Sequence, residues 1–370
     1  MMLYNDLVWT VLLGFLLLKT ACFLTAQTLS PQLGTDDPNQ KTTWYDCKNL
    51  IIAGKGWKES ESFYDRLPIK AKDMVPSAVW SLSHDSAGMF ARFATNSTII
   101  QVRWTLLKTT LAMPHMPATG VSGIDLYSKD PSGKWVFNGN GRPENITNNI
   151  SFNVVPNLEY ILYLPLYNGI KTIEIGIPIG KNISTPNLPL PNQTKPIVFY
   201  GTSITQGGCA SRPGLAATAI VGRQLDTPVL NLGFSGNGRM EPELAELLAE
   251  LDPSIYVLDC LANMSSEMVT ERVEPFVKIL RKTHPDTPIV LVEDANFKGI
   301  TPTEKGSRLR TIHEKLIKEG VKNLSFLSNA NMLGTDYEGT VDGVHPNDIG
   351  MMRQANVFIP VLRALLPAIK

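Results

Sequence analysis

From Ile197 onward the chain repeats one pattern five times, a short apolar run followed by a stretch of helical character. The runs are Ile197–Tyr200, Val229–Leu232, Ile255–Leu258, Ile289–Val292 and Leu324–Leu327. Four residues are too few for a buried helix, and their near-continuous apolarity suits strands covered on both faces. Helix signals stand between them. Pro213 and Pro242 suit a first helical turn, and Leu244, Leu247, Leu248 and Leu251 share one face after the second. Alternating strands and helices imply a parallel sheet with helices on both sides. The expectation for residues 196–370 is an α/β, doubly wound (flavodoxin-like) five-stranded sheet of strand order 2-1-3-4-5.

The part before it has a different period. Apolar and polar residues alternate strictly in Ile100–Leu106, and again from Ile173 to Ile179. A period of two gives a strand one core face and one wet face. Turn signals such as Asp130-Pro131-Ser132-Gly133 and Asn138-Gly139-Asn140-Gly141 separate these runs. Residues 44–183 are expected to form an all-β sandwich, with aromatics in its core. Pro186, Pro189 and Pro191 mark 184–195 as an extended linker.

At the N-terminus, Leu7 to Leu18 is apolar but short of the roughly 20 residues needed to span a bilayer. Residues 1–26 read as a secretory signal cleaved after Ala26, with a retained membrane anchor as the alternative. Lys and Arg number 34, as do Asp and Glu, and no basic run exceeds two residues. Nucleic acid and anionic membranes call for a basic excess, so neither is an expected partner. Cys47, Cys209 and Cys260 remain after processing, without a Cys-x-x-Cys or Cys/His ligand spacing. No structural zinc is expected.

In open parallel sheets, reactive groups gather beyond the carboxyl ends of the strands. Gly201-Thr202-Ser203 follows the first run, Gly233-Phe234-Ser235-Gly236 the second, Leu261-Ala262-Asn263 the third and Asp342-Gly343-Val344-His345 the fifth. These are the parts of acyl transfer. A serine needs a base to take its proton, histidine can be that base, and a carboxylate holds its tautomer. Ser203, His345 and Asp342 are the catalytic candidates. The backbone amides of Ser203 and Gly236, with the Asn263 side chain, are the oxyanion candidates.

These blocks resemble the SGNH hydrolases, also known as GDSL esterases and lipases. Two positions depart from the common pattern: Thr202 replaces an aspartate, and Met264 stands where Asn263 is usually followed by one. Gly123-Ile124-Asp125-Leu126-Tyr127 matches the Gly-x-Asp-Leu-Tyr signature of a β-domain that precedes one subgroup. The resemblance implies a serine esterase without metal or cofactor, preceded by a jelly-roll-like β-sandwich. It favours O-acetyl groups on a carbohydrate as substrate. An acyltransferase using the same residues is one alternative, and a carbohydrate-binding protein with a decayed hydrolase domain is another.

Three further expectations depend on tertiary placement. In the assumed strand order Cys209 and Cys260 lie on neighbouring strand ends, so a disulfide joins them and leaves Cys47 over. The loop Met113–Pro117 either reaches the active-site face or is a packing turn. His84, His115, His284 and His313 carry no partner pattern and read as structural or surface residues.

Overall fold

The computed structural model describes residues 28–186 and 195–367. Residues 1–26, read above as a secretory signal, and most of the proline-rich linker lie outside the described residues.

Eleven strands make the first part: β1 (Gly34–Asp37), β2 (Thr42–Asp46), β3 (Ile51–Ala53), β4 (Phe90–Thr95), β5 (Ile99–Leu106), β6 (Ile124–Lys129), β7 (Trp135–Gly141), β8 (Thr147–Asn153), β9 (Leu158–Tyr163), β10 (Ile170–Pro178) and β11 (Ile183–Ser184). They form two antiparallel sheets. One runs β1-β2-β10-β5-β8, and the other runs β11-β4-β9-β6-β7 with β3 paired to β4. The period-two strand is explicit in β5, where Ile100, Val102, Trp104 and Leu106 are buried and the residues between them are not. Those side chains meet Tyr160, Leu162, Ile173 and Ile175 in one core between the sheets.

One excursion was not legible as strand. Between β3 and β4 the chain forms helix α1 (Ser77–Ser83), preceded by a 3₁₀ turn at Ile69–Asp73. Ala71, Val75 and Val79 recur every fourth residue, the helical repeat, and all three are buried. They pack on Val198, Tyr200 and Leu230, which belong to the parallel sheet. A short helix α2 (Ala118–Val121) precedes β6.

The parallel strands are β12 (Ile197–Gly201), β13 (Val229–Gly233), β14 (Ile255–Asp259), β15 (Ile289–Val292) and β16 (Leu324–Leu327). Their order is β13-β12-β14-β15-β16, the expected 2-1-3-4-5. β12 and β13 are buried along their whole length. Helices α3 (Ser203–Gln206), α4 (Ala217–Leu225), α5 (Pro242–Leu248), α6 (Ser266–Thr283), α7 (Glu304–Lys318) and α8 (Asp348–Leu365) complete this part. Pro242 opens α5 as expected, whereas Pro213 opens a 3₁₀ turn and α4 starts only at Ala217.

The two parts share their cores. One face of the parallel sheet packs with α4, α8 and the sandwich residues Phe90, Tyr127, Tyr163 and Tyr167. The other packs with α5, α6, α7 and the excursion around α1. No helix among the described residues is long and apolar enough to cross a membrane.

Candidate active site

β12 ends at Gly201, and two residues later Ser203 begins α3. A Cβ on Gly201 would sit 2.1 Å from Thr205 Oγ1 and 2.5 Å from the Asp259 carbonyl oxygen, so the turn requires glycine. Thr202 caps α3 by accepting the Ile204 N–H. Threonine and aspartate are both able to cap a helix in this way. Ser203 is the first residue of the helix, where backbone N–H groups lack intrahelical partners. α3 ends at Gly207, whose φ of 108° is in the left-handed region.

The structure brings Ser203, His345 and Asp342 together. Ser203 Oγ lies 2.9 Å from His345 Nε2, and His345 Nδ1 lies 2.7 Å from Asp342 Oδ2. The other Asp342 oxygen accepts the backbone N–H groups of His345 at 2.8 Å and Val344 at 3.0 Å. Burial alone would push the Asp342 carboxyl up. Its hydrogen bonds from His345 and Val344 outweigh that and hold it at about 2. It is therefore a carboxylate at any working pH, suited to hold a proton on Nδ1 and leave Nε2 to accept one.

The oxyanion candidates converge from neighbouring strands. The Phe234 N–H donates to the Gly201 carbonyl, and a Cβ on Gly238 would meet that carbonyl oxygen at 2.0 Å. The turn after β13 is thus pressed against the end of β12. Gly236 adopts φ of 69° within it. Asn263, in a 3₁₀ turn after β14, donates one amide hydrogen to the Asn237 carbonyl at 2.7 Å. The amide carries a second hydrogen that this bond does not use.

Several residues behind the site had no readable sequence signal. Gln206 is fully buried; its Oε1 accepts the Ser235 N–H at 3.0 Å, and its Nε2 donates to Asp85 at 3.2 Å and the Leu166 carbonyl at 3.0 Å. Asp85 is buried and paired with Lys108. Tyr167 donates its hydroxyl to the Ser203 carbonyl at 3.0 Å. Asp85, Lys108, Leu166 and Tyr167 all come from the first part of the chain. They are distant in sequence from the residues they support, so only folding reveals the pairing.

The Gly-x-Asp-Leu-Tyr segment is a clamp between the two parts. Asp125 is fully buried and accepts Arg212 Nη1, the Gly214 N–H and Asn140 Nδ2, each at 2.8 Å. Tyr127 Oη accepts Arg212 Nη1 at 2.7 Å. A Cβ on Gly123 would lie 2.3 Å from the Thr119 carbonyl oxygen, which explains that glycine.

Of the two readings of Met113–Pro117, the structure adopts the first. The loop is closed by mutual backbone bonds between Met113 and Met116, and its exposed His115 faces His345 with ring centroids 5.5 Å apart. His115, which carries no partner pattern in the sequence, therefore lies on the active-site face. His84 contacts Asp65, while His284 and His313 bond to the Ala249 and Leu324 carbonyls.

The expected Cys209–Cys260 disulfide is not formed; Cys47, Cys209 and Cys260 are all free thiols. Cys209 lies beyond α3 rather than on the end of β12, and the two thiols sit in different surroundings. Cys260 Sγ points into the core toward the Tyr200 carbonyl at 3.5 Å. Cys209, at φ of 73°, turns its sulfur toward His115 and His345. Burial pushes the Cys209 thiol up to about 11.

A strand-end serine, an aspartate and a histidine three residues apart on a late loop, and a 2-1-3-4-5 sheet together define the SGNH class of hydrolases. The chain belongs to the GDSL-like lipase/acylhydrolase family and is a hydrolase of ester bonds. The model of that family matches residues 194–363, and one described as the N-terminus of Esterase_SGNH_hydro-type matches residues 42–183. A putative GDSL-like lipase from Bacteroides ovatus is 36% identical, covers 88% of this chain and 98% of its own, and superposes with a TM-score of 0.80. The salicylyl-acyltransferase SsfX3 of a tetracycline biosynthetic pathway shares the fold at 18% identity, with a TM-score of 0.68 over 92% of this chain and 97% of that one. A family two carbohydrate esterase from Clostridium thermocellum, in complex with cellohexaose, shares it at 12% identity, with a TM-score of 0.52 over 75% and 92%. No curated protein matches the chain.

Proposed function

We propose that this chain is an exported serine esterase that removes small acyl groups, O-acetyl foremost, from carbohydrates. The observation that carries the reading is the continuous hydrogen-bond path from Ser203 Oγ through both His345 nitrogens to Asp342. In the first half-reaction Ser203 Oγ attacks the ester carbonyl carbon while His345 Nε2 takes its proton. The amides of Ser203 and Gly236 and the Asn263 side chain receive the oxyanion. The tetrahedral adduct collapses, and His345 returns the proton to the departing sugar oxygen. Water then attacks the acyl-enzyme with the same base, releasing acetate and Ser203. No step calls for a metal or cofactor.

The carbohydrate assignment is supported by the family two carbohydrate esterase, which shares the fold over 75% of this chain and was captured with cellohexaose. The similarity to a salicylyl-acyltransferase supports a second reading, in which an alcohol rather than water takes the acyl group. Acetate release from a panel of acetylated oligosaccharides tests the first reading. Acyl-ester formation with an added alcohol acceptor, in excess of hydrolysis, would favour the second. Absence of aryl acetate turnover by the folded protein would overturn both. Export predicts a mature N-terminus just after Ala26, readable by N-terminal sequencing.

A further inference from the structure

We propose that His115, Cys209 and His345 form a site for a soft divalent metal ion, of the Zn2+ type, and that filling it switches the enzyme off. The switching rests on His345 acting as the base; the binding does not.

One ligand atom from each of the three residues lies within 4.8 Å of the other two. Zinc bonds of about 2.3 Å to sulfur and about 2.0–2.1 Å to nitrogen require ligand atoms roughly 3.3–3.7 Å apart in a tetrahedral site. The remaining gap is on the order of 1 Å. His115 can close it, because it is exposed on a loop tip between Pro114 and Pro117. The other two ligands are already fixed. Cys209 follows the turn that carries the nucleophile, where the N–H groups of Gly207 and Gly208 both return to the Ser203 carbonyl. A Cβ on Gly208 would touch the His345 ring at 3.3 Å, so this turn packs directly against the imidazole.

Thiolate and imidazole donors select zinc or copper over magnesium or calcium. On binding, the Cys209 S–H bond breaks, its proton goes to solvent, and the sulfur's electron pair forms the metal bond. Water fills the fourth position. Both His345 nitrogens are engaged in the resting enzyme, Nε2 with Ser203 and Nδ1 with Asp342. Coordination of either one breaks the proton path, so occupancy and turnover exclude each other.

The test uses the mature protein, stripped with EDTA and desalted. Added Co2+ should give a thiolate-to-cobalt charge-transfer band in the near ultraviolet, and Zn2+ should displace it. Aryl acetate hydrolysis should fall with added Zn2+ and return on chelation. Cys209→Ala should lose the band, keep its metal-free kcat/KM, and raise the half-inhibiting Zn2+ concentration by at least about tenfold. His115→Ala, each rate being referred to its own metal-free value, should also lose zinc sensitivity. The Ser203→Ala variant should keep the cobalt band, so metal binding is read even if the serine mechanism fails. Zinc inhibition undiminished in Cys209→Ala, or no cobalt band in the parent protein, would overturn the site. A Cys209-dependent band without inhibition would overturn the switch.

Discussion

In the proposed mechanism Ser203 draws its reactivity from neighbours rather than from its own hydroxyl, so each neighbour can be removed separately. Ser203→Ala should abolish aryl acetate turnover, since the attacking atom is gone. Asn263→Ala should lower kcat about 10²- to 10³-fold while KM changes little, because the lost donor acts on charge that develops only in the transition state. Steady-state kinetics on folded variants separates the two effects, and an unchanged kcat in Asn263→Ala would remove that residue from the oxyanion hole. Asp259 makes a prediction of opposite kind. It follows Leu258 at the end of β14, and burial pushes its carboxyl up to about 6, against the pull of the Thr205 hydroxyl. The fold therefore prefers the protonated acid, and stability falls as pH rises from the unfolded value of 3.8 through about 6. Asp259→Asn keeps an acceptor for Thr205 and removes the charge. Its Tm should exceed that of the parent above about pH 6 and converge with it below about pH 4. A difference independent of pH would show that Asp259 does not titrate in this range.

At the scale of elements, the loops of one part are held by strands of the other. β6 anchors the segment between α3 and α4 through Asp125 and Arg212. Asp125→Ala strands Arg212 near-buried without its counter-charge and leaves the Gly214 N–H unpaired. The expected cost is about 3 kcal/mol, toward the lower end for a broken buried pair because Arg212 keeps some solvent contact. Denaturant unfolding measures it, and a loss within about 0.5 kcal/mol would mean the clamp is incidental. Tyr167, just beyond β9, has a finer role. Tyr167→Phe preserves its packing and deletes one hydrogen bond to the Ser203 carbonyl. A net bond of about 1 kcal/mol predicts a fall in kcat of up to about fivefold with KM unchanged. An equal change in KM would point to a shifted binding surface instead.

At the scale of the whole molecule, two architectures share their hydrophobic cores. Leu67, Ala71, Val75 and Val79 from the first part complete the core on one face of the parallel sheet. Phe90, Tyr163 and Tyr167 complete it on the other. Arg66 is fully buried and donates to the carbonyls of Asn231 and Gly233 on β13, closing the seam beside the site. Residues 195–370 expressed alone should therefore expose two apolar surfaces and lose the support behind Gln206. The expected result is aggregation, or a soluble fragment without esterase activity, read by size-exclusion chromatography and aryl acetate turnover. A soluble, fully active fragment would show the β-part to be a detachable accessory.

The amino-acid sequence by itself determined the period of each part, and with it the antiparallel sandwich and the doubly wound sheet. It also determined the site candidates, because strand ends and glycine turns are local features: Gly201 before Ser203, Gly236 after β13, and Asp342 three residues before His345. What it left open were relations between distant residues. Neighbouring strand ends made Cys209 and Cys260 look joinable, yet side-chain direction sends one sulfur into the core and the other to the site. Asp85 and Gln206 meet across 121 positions, and His115 reaches His345 from a loop of the other part. Periodicity is a property of a few consecutive residues, so the chain carries it openly. Which buried side chain meets which is set only when two surfaces pack, and that the tertiary structure alone decided.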